Sequence, residues 1–122
     1  MSNKTQGFTK GERLKKRALF GTIFRSGAYY QSGNFSVRLL PNELVATRLG
    51  ISIQKSVFPQ AAQRNRVKRL IRESFRRHKG ELLSGRDIIV KPKAYAIAEF
   101  SYGEVERALL ELFKIAGLLK QV

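Results

Sequence analysis

The chain has 122 residues, of which 43% are hydrophobic, and its formal net charge is +15. This length suits one domain with one core, and the composition is that of a folded chain. There is no cysteine and a single histidine, which excludes disulfides and thiolate chemistry and argues against a histidine zinc site.

The charge is unevenly spread, because the segment after Lys79 carries six basic and six acidic residues and is neutral. The whole basic excess therefore lies in the first two thirds of the chain, which indicates one face for a polyanionic partner. No apolar run approaches the roughly 18 residues of a membrane span. We expect a cytoplasmic protein, with a flexible basic arm over residues 1–12 and a single domain over 13–122.

The first predicted helix covers residues 15–26 and ends at Gly27. It follows a basic cluster formed by Arg13, Lys15, Lys16 and Arg17. Apolar residues recur along one side of it, and from spacing alone its aromatic residues Phe20 and Phe24 are more typical of core packing than of binding.

Alternation of apolar and polar residues then predicts strands at 28–31, 35–40 and 45–54, which we interpret as an antiparallel meander. Arg38 lies on the less apolar face of the second strand. A short Ile/Val run at 86–91 predicts a buried strand that can pair in parallel with 45–54. An S-x-x-E capping box at Ser101 predicts a final, structural helix that runs until Gly117.

The most basic stretch runs from Ala61 to Lys79, with six Arg and two Lys against one acid, Glu73. Apolar residues at helical spacing predict a helix whose buried stripe is Val67, Leu70, Ile71 and Phe75. The opposite side forms a basic band, made of Asn65, Arg69, Arg72 and Arg76 with Arg66 and Lys68 on its flanks. Arg64 falls near the apolar edge, so we expect its guanidinium to lean toward whatever the helix packs on.

The pattern Arg64-Asn65-Arg66-x-x-Arg69-x-x-Arg72 resembles the signature of the bacterial ribonuclease P protein family. The resemblance covers roughly residues 10 to 116, and its further parts are Arg13-Leu14-Lys15-Lys16, Phe20-x-x-x-Phe24-x-x-Gly27, Arg48-Leu49-Gly50-Ile51-Ser52-Ile53 and Asp87-Ile88-Ile89-Val90. It implies an α+β domain of order α-β-β-β-α-β-α, with a four-stranded mixed sheet packed by helices and a left-handed βαβ crossover.

The resemblance also implies partners and site residues. The partners are the catalytic RNA, one protein per RNA, and precursor tRNA, with neither a membrane nor a small-molecule ligand. The catalytic RNA would be bound by Arg64, Asn65, Arg66, Lys68, Arg69, Arg72 and Arg76, with additional contacts from Arg13, Lys15, Lys16 and Arg17. The 5′ leader of precursor tRNA would lie in a groove edged by Phe20, Phe24, Arg38 and Lys55. Where related sequences can carry an aromatic residue, this chain has Arg38, so phosphate pairing is expected there.

The chain offers no catalytic constellation, because nucleophilic cysteine is missing and most acids lie in the neutral final third. The resemblance implies that the RNA subunit carries the chemistry with Mg²⁺, and that protein side chains bind no metal. A ribosomal or other structural RNA-binding protein is the main alternative. A DNA-binding helix fits less well, since predicted strands flank the basic helix. An amphipathic membrane-surface helix is disfavoured, because the apolar stripe is needed to cover the sheet.

Overall fold

The structure, a computed structural model, describes residues 17–120, and for Arg17 and Ala18 it describes the backbone alone. The described helices and strands follow the predicted order. They are α1 (Arg17–Ser26), β1 (Ala28–Ser32), β2 (Phe35–Pro41), β3 (Arg48–Ile51), α2 (Ala61–His78), β4 (Arg86–Pro92) and α3 (Tyr102–Ile115). Two 3₁₀ turns, Lys79–Glu81 and Tyr95–Glu99, were not predicted.

The four strands form one mixed sheet in the order β1-β2-β4-β3. The predicted meander is therefore wrong beyond the β1–β2 hairpin, because β4 lies between β2 and β3. The parallel pairing of β3 with β4, with α2 between them in the chain, is confirmed. An α+β fold with a four-stranded mixed sheet is thus observed, as the sequence predicted.

Strand β3 is much shorter than the predicted strand 45–54. The residues before it are held in a loop: the Asn42 side chain donates to the Ala46 carbonyl, and the Thr47 hydroxyl donates to the Leu83 carbonyl. Arg48 then makes a two-bonded ion pair with the nearly buried Asp87 of β4, at 2.7 and 2.6 Å. These side chains fix the start of β3 against the start of β4.

One face of the sheet carries the main core, which α2 and α3 cover together. Three residues of the predicted stripe, Val67, Ile71 and Phe75, are buried there as expected. Leu70 was predicted to be buried with them, but it lies at the edge of the core and is only partly buried. The fourth fully buried position on α2 is Ser74, one turn before the end of the helix.

The opposite face of the sheet is only partly covered, by α1. Ile23 of α1 and Ile89 of β4 form a second, smaller cluster with Leu19, Phe20 and Leu40. Gly27 ends the helix as predicted: its N–H donates to the Ile23 carbonyl, and a Cβ at this position would come within 2.5 Å of that oxygen. No other residue type fits this close approach without a backbone shift, so the glycine sets where the chain leaves α1 for β1.

Helix α3 begins with the predicted capping box. The Ser101 hydroxyl accepts from the Glu104 N–H, and the Glu104 carboxylate accepts from the Ser101 N–H. Val105, Leu109, Leu112 and Phe113 of α3 are buried in the main core. The predicted structural role of this helix is confirmed.

The buried Ser74 hydroxyl lacks a hydrogen-bond partner among the described residues. A buried polar group without a partner costs about 1–3 kcal/mol, and alanine is also the better helix former. Ser74→Ala is therefore expected to raise the free energy of unfolding by about 1 kcal/mol. Urea denaturation measures this, with the exposed Ser56→Ala as the matched control that should change little. A destabilised Ser74→Ala would show that the hydroxyl has a partner in solution.

Candidate nucleic-acid interface

The basic band lies where the helical spacing placed it. Asn65, Arg69 and Arg72 are exposed on the side of α2 that faces away from the core, and Lys68 and Arg76 are half-buried beside them. Among the described residues, no partner is found for the side chains of Lys68 and Arg69. These two side chains are therefore available to bind an external anion. Their position on the helix is set by the burial of Val67 and Ile71 on its other side.

Two arginines at the start of α2 are instead bonded to backbone carbonyls. Arg64 donates to the carbonyls of Phe58 and Pro59, at 2.7 and 3.0 Å, in the connection that precedes α2. Arg66 donates to the carbonyls of Ala98 and Phe100, at 2.9 and 2.7 Å. Both side chains thus tie α2 to neighbouring loops, a role that the charge pattern alone could not indicate.

The C-terminal part of the basic band is partly neutralised by Glu73. Its carboxylate accepts two bonds from Arg76, at 3.0 and 2.5 Å, and one from Arg77, at 2.9 Å. The two bonds from Arg76, followed by the one from Arg77, hold the pKa of Glu73 below its ordinary value despite partial burial. The cationic character of the basic band is therefore strongest near Lys68 and Arg69 and weaker toward Arg76.

A groove lies on the opposite face of the sheet, beside α1. It encloses a cavity of about 240 Å³ lined by Phe24, Tyr29, Ser36, Arg38, Ile89, Lys91 and Lys93. We call this the sheet groove. Strand pairing explains its floor, since Tyr29 of β1 and Ile89 of β4 are the neighbours of Arg38 on either side. Phe24 is 37% exposed and forms one wall from α1.

Two of the predicted groove residues do not line this cavity. Phe20 is half-buried and packs in the cluster of Ile23 and Ile89, which is the core role that its spacing favoured. Lys55 is exposed in the turn between β3 and α2. Phe24 and Arg38 are brought together as expected, whereas Arg13, Lys15 and Lys16 lie outside the described residues and Arg17 is described by its backbone alone.

Five residues that line the sheet groove were missed from the sequence: Tyr29, Ser36, Ile89, Lys91 and Lys93. The Lys93 ammonium donates to the Tyr29 hydroxyl at 3.1 Å and to the Gln31 amide oxygen at 3.0 Å. The hydrogen bond from Lys93 is the main reason that the pKa of Tyr29 is lowered. The sequence signal for Lys91 was the alternation of side chains along β4, which puts Lys91 on the same face of the sheet as Ile89. This alternation places Lys91 beside Arg38 only once the pairing of β4 with β2 is known.

At the other end of α2, His78 joins α2 to α3. Its Nε2 lies 2.7 Å from a Glu106 oxygen and its Nδ1 lies 2.9 Å from a Glu81 oxygen. Burial alone would lower the pKa of His78, but the bonds to Glu106 and Glu81 outweigh it and raise the pKa above its ordinary value. Tyr102 and Arg77 also pack here, with the Arg77 guanidinium 4.9 Å from the Tyr102 ring centroid.

A raised pKa in the folded state means that protonation of His78 stabilises the fold. The contribution is fully present below the unfolded-state pKa of about 6.5 and is lost as the pH rises through the raised value. We expect urea denaturation to show decreasing stability across this range of pH, and the slope to be reduced in His78→Gln. Parallel curves for the two proteins would contradict the assignment.

Two further kinds of site are not found in the part of the chain that the structure describes. Across residues 17–120, no three His, Asp or Glu side chains come together as a set that could hold a metal ion. Over the same residues, none of the helices combines the length and the apolar character needed to cross a bilayer.

The fold and these surfaces define a class of small, strongly basic α+β proteins in which a βαβ crossover helix carries a cationic face. Residues 8–117 match the sequence profile of the family described as Ribonuclease P. The chain belongs to the ribonuclease P protein family.

Individual relatives agree with this assignment over nearly their whole length. The ribonuclease P protein component of Thermotoga petrophila is 40% identical over 113 residues, which cover 90% of this chain and 96% of the relative. The solved structure of the Staphylococcus aureus RNase P protein matches with a TM-score of 0.82 and 34% identity, covering 91% of this chain and 100% of that one. The RNase P protein from Thermotoga maritima matches with a TM-score of 0.78 and 37% identity, covering 85% and 96%.

Proposed function

We propose that this protein holds two RNAs at once within ribonuclease P: the catalytic RNA on the basic band and the 5′ leader of precursor tRNA in the sheet groove. The observation that carries the proposal is the separation of the two surfaces. The basic band lies on α2, which packs on one face of the sheet, and the sheet groove opens on the other face. Two nucleic acids can therefore be bound without competing for the same side chains.

The basic band suits a phosphate backbone. Lysine and arginine side chains that neutralise phosphates release counterions and supply affinity without sequence preference. The sheet groove suits a single strand, because exposed aromatic rings beside cations allow unpaired bases to stack and backbone phosphates to pair. The product of the assembly would be tRNA with a matured 5′ end.

In this proposal the RNA subunit cleaves the phosphodiester bond, with divalent ions that it binds itself. Protein side chains hold no metal in this proposal, and no cleavage step is assigned to them. The protein contributes position and charge: it screens repulsion between the two RNAs and retains the leader. A cytoplasmic location and one protein per catalytic RNA belong to the same proposal.

The experiment compares Phe24→Ala with the wild type in reconstituted holoenzyme. Loss of one stacked base costs about 1–3 kcal/mol, so we expect Phe24→Ala to weaken binding of leader-bearing precursor tRNA by that amount. Binding of mature tRNA, which lacks the leader, should hardly change. The measurements are binding and single-turnover cleavage with both substrates across a magnesium titration.

Tyr95→Ala supplies the matched control, because Tyr95 is an exposed aromatic residue outside the sheet groove. It should leave the advantage of the leader-bearing substrate intact. Equal losses on both substrates for Phe24→Ala would refute leader binding in the sheet groove. A protein that co-purifies with ribosomal RNA alone would favour the ribosomal alternative.

A further inference from the structure

Tyr95 is an aromatic residue that is 48% exposed, and it begins the 3₁₀ turn Tyr95–Glu99. Its ring stacks against the ring of Phe58, with 6.4 Å between the centroids and 29° between the planes. Phe58 itself has no exposed surface. The Gln63 side chain, from the first turn of α2, donates to the Tyr95 hydroxyl at 2.5 Å. One face of the Tyr95 ring is therefore supported by the core, and the exposed part of the ring is held in a fixed place.

The turn that carries Tyr95 is fixed to the rest of the domain. Two of its residues, Ile97 and Ala98, are buried in the main core. From α2, the Arg66 guanidinium donates to the carbonyls of Ala98 and Phe100, at the far end of the same turn. Both guanidinium nitrogens involved are thus used to hold the backbone that positions the Tyr95 ring.

The support beneath the ring is fixed in the same way. Phe58 belongs to the connection between β3 and α2, and its carbonyl and that of Pro59 accept from the Arg64 guanidinium. Arg64 and Arg66 therefore hold the two segments whose rings stack on each other. The same short stretch of α2 also supplies Gln63, which bonds to the Tyr95 hydroxyl.

The Tyr95 ring lies next to the basic band. A helix turns by about 100° per residue, so Arg66 stands about 60° around α2 from Arg69, at the flank of the basic band. The turn that Arg66 holds is therefore the neighbour of this flank, near the N-terminal end of α2, where Asn65 is exposed. An RNA that lies along the basic band passes within reach of the exposed ring.

We propose that Tyr95 stacks on one unpaired base of the catalytic RNA, and that Arg64 and Arg66 are positioning residues that hold the Tyr95 and Phe58 rings in place. This rests on the proposed binding of the catalytic RNA to the basic band and adds a contact that does not depend on charge. Every base has an aromatic face, so the contact needs no particular base. From the sequence we expected both arginines to bind the RNA directly.

The first test measures the affinity of the full chain for ribonuclease P RNA, without precursor tRNA, at several salt concentrations. Tyr95→Ala is expected to weaken binding at least about fivefold, the lower limit for one stacked base, whereas Tyr95→Phe keeps the ring and should bind nearly as the wild type does. The slope against salt should not change, because no charge is removed. Ile115→Ala, which removes an exposed apolar side chain of α3, is the matched control.

Wild-type affinity of Tyr95→Ala would overturn the inference, as would equal losses for Tyr95→Ala and Tyr95→Phe. The proposed function has a separate test, since it fails if removal of both Lys68 and Arg69 leaves RNA affinity unchanged. Once the catalytic RNA is saturated with protein, Tyr95→Ala should retain the advantage of leader-bearing precursor tRNA, because Tyr95 lies outside the sheet groove.

The second test identifies which RNA supplies the base. The chain contains no tryptophan, so Tyr95→Trp introduces a single indole at the proposed contact. Its fluorescence is expected to be quenched by ribonuclease P RNA alone, whereas Ile115→Trp should not respond. Quenching that requires precursor tRNA would overturn the assignment to the catalytic RNA. The absence of quenching with both RNAs would overturn stacking altogether.

The third test concerns the positioning role of Arg66. Arg66→Lys keeps the charge but lacks the rigid fork that bonds two carbonyls, so it is expected to weaken RNA binding and to reduce the quenching seen with Tyr95→Trp. In combination with Tyr95→Ala, it should cause little further loss. Arg107→Lys, an exposed exchange on α3, is the matched control. Fully additive losses for Arg66→Lys and Tyr95→Ala would show that Arg66 acts on the RNA independently and would overturn its positioning role.

Discussion

Replacing Ile71 by alanine is expected to destabilise the protein by about 2–5 kcal/mol, the usual cost of emptying a fully buried aliphatic site. Ile71 has no exposed surface and lies in the main core between α2 and the sheet. The exchange removes packing on both sides and leaves a cavity that the neighbouring strands cannot fill without moving. The measurement is the free energy of unfolding in urea, with the total helix content followed by circular dichroism.

Leu70→Ala is the matched control, since it removes a side chain of the same size from the adjacent position of the same helix. Because Leu70 is only partly buried, we expect less than half of the cost of Ile71→Ala. The difference isolates burial from helix propensity, which the two exchanges alter in the same direction. Equal costs at both positions would mean that α2 is rotated about its axis relative to the structure.

The second large effect concerns the basic band. Replacing both Lys68 and Arg69 by alanine is expected to reduce the slope of log affinity against log salt concentration by about two units, one for each phosphate that is no longer neutralised. Affinity for the catalytic RNA should fall most at low salt. Filter binding or fluorescence anisotropy at several salt concentrations measures both quantities.

The matched control removes two positive charges elsewhere, by Arg107→Ala and Lys114→Ala on α3. Both are exposed but lie among acidic residues of α3, outside the basic band, and the slope should be nearly unchanged. An equal decrease in the slope for the two double variants would show that net charge matters and that the basic band is only a solvated face.

Replacing Glu73 is expected to change RNA affinity in the opposite direction from the loss of Lys68 and Arg69. Glu73→Gln releases Arg76 and Arg77 from their carboxylate partner, so the salt-dependence slope should increase and binding to the catalytic RNA should tighten. A partly exposed pair of this kind, still in contact with solvent, contributes at most about 1 kcal/mol to stability, so the fold should tolerate the change. Unchanged affinity would place Arg76 outside the RNA contact.

Local patterns in the sequence predicted the helices well. The stripe on α2 placed Val67, Ile71 and Phe75 correctly, because helical periodicity depends only on neighbours within two turns. The same reasoning found the Ser101 capping box. It misjudged Leu70, which lies at the border of the stripe, where burial depends on how closely a neighbouring element approaches.

Non-local pairing was the part that the sequence did not reveal. Whether β3 neighbours β2 or β4 depends on contacts between segments more than thirty residues apart, and the meander was the simpler arrangement. This error concealed the part of the sheet groove that Lys91 and Lys93 line, because their positions follow from the pairing of β4 with β2. The charge pattern likewise could not distinguish Arg66, which bonds to two carbonyls, from the exposed Arg69.

The placement of β4 between β2 and β3 has a consequence for how the chain folds as it is synthesised. Among the described strands, only the β1–β2 hairpin can pair from neighbouring segments; β3 must wait until β4 has been made. Until β4 has been made, the apolar stripe of α2 has no completed sheet to cover. The nascent protein therefore passes through a stage with an unpaired strand and exposed core residues, and folding is governed by these long-range contacts.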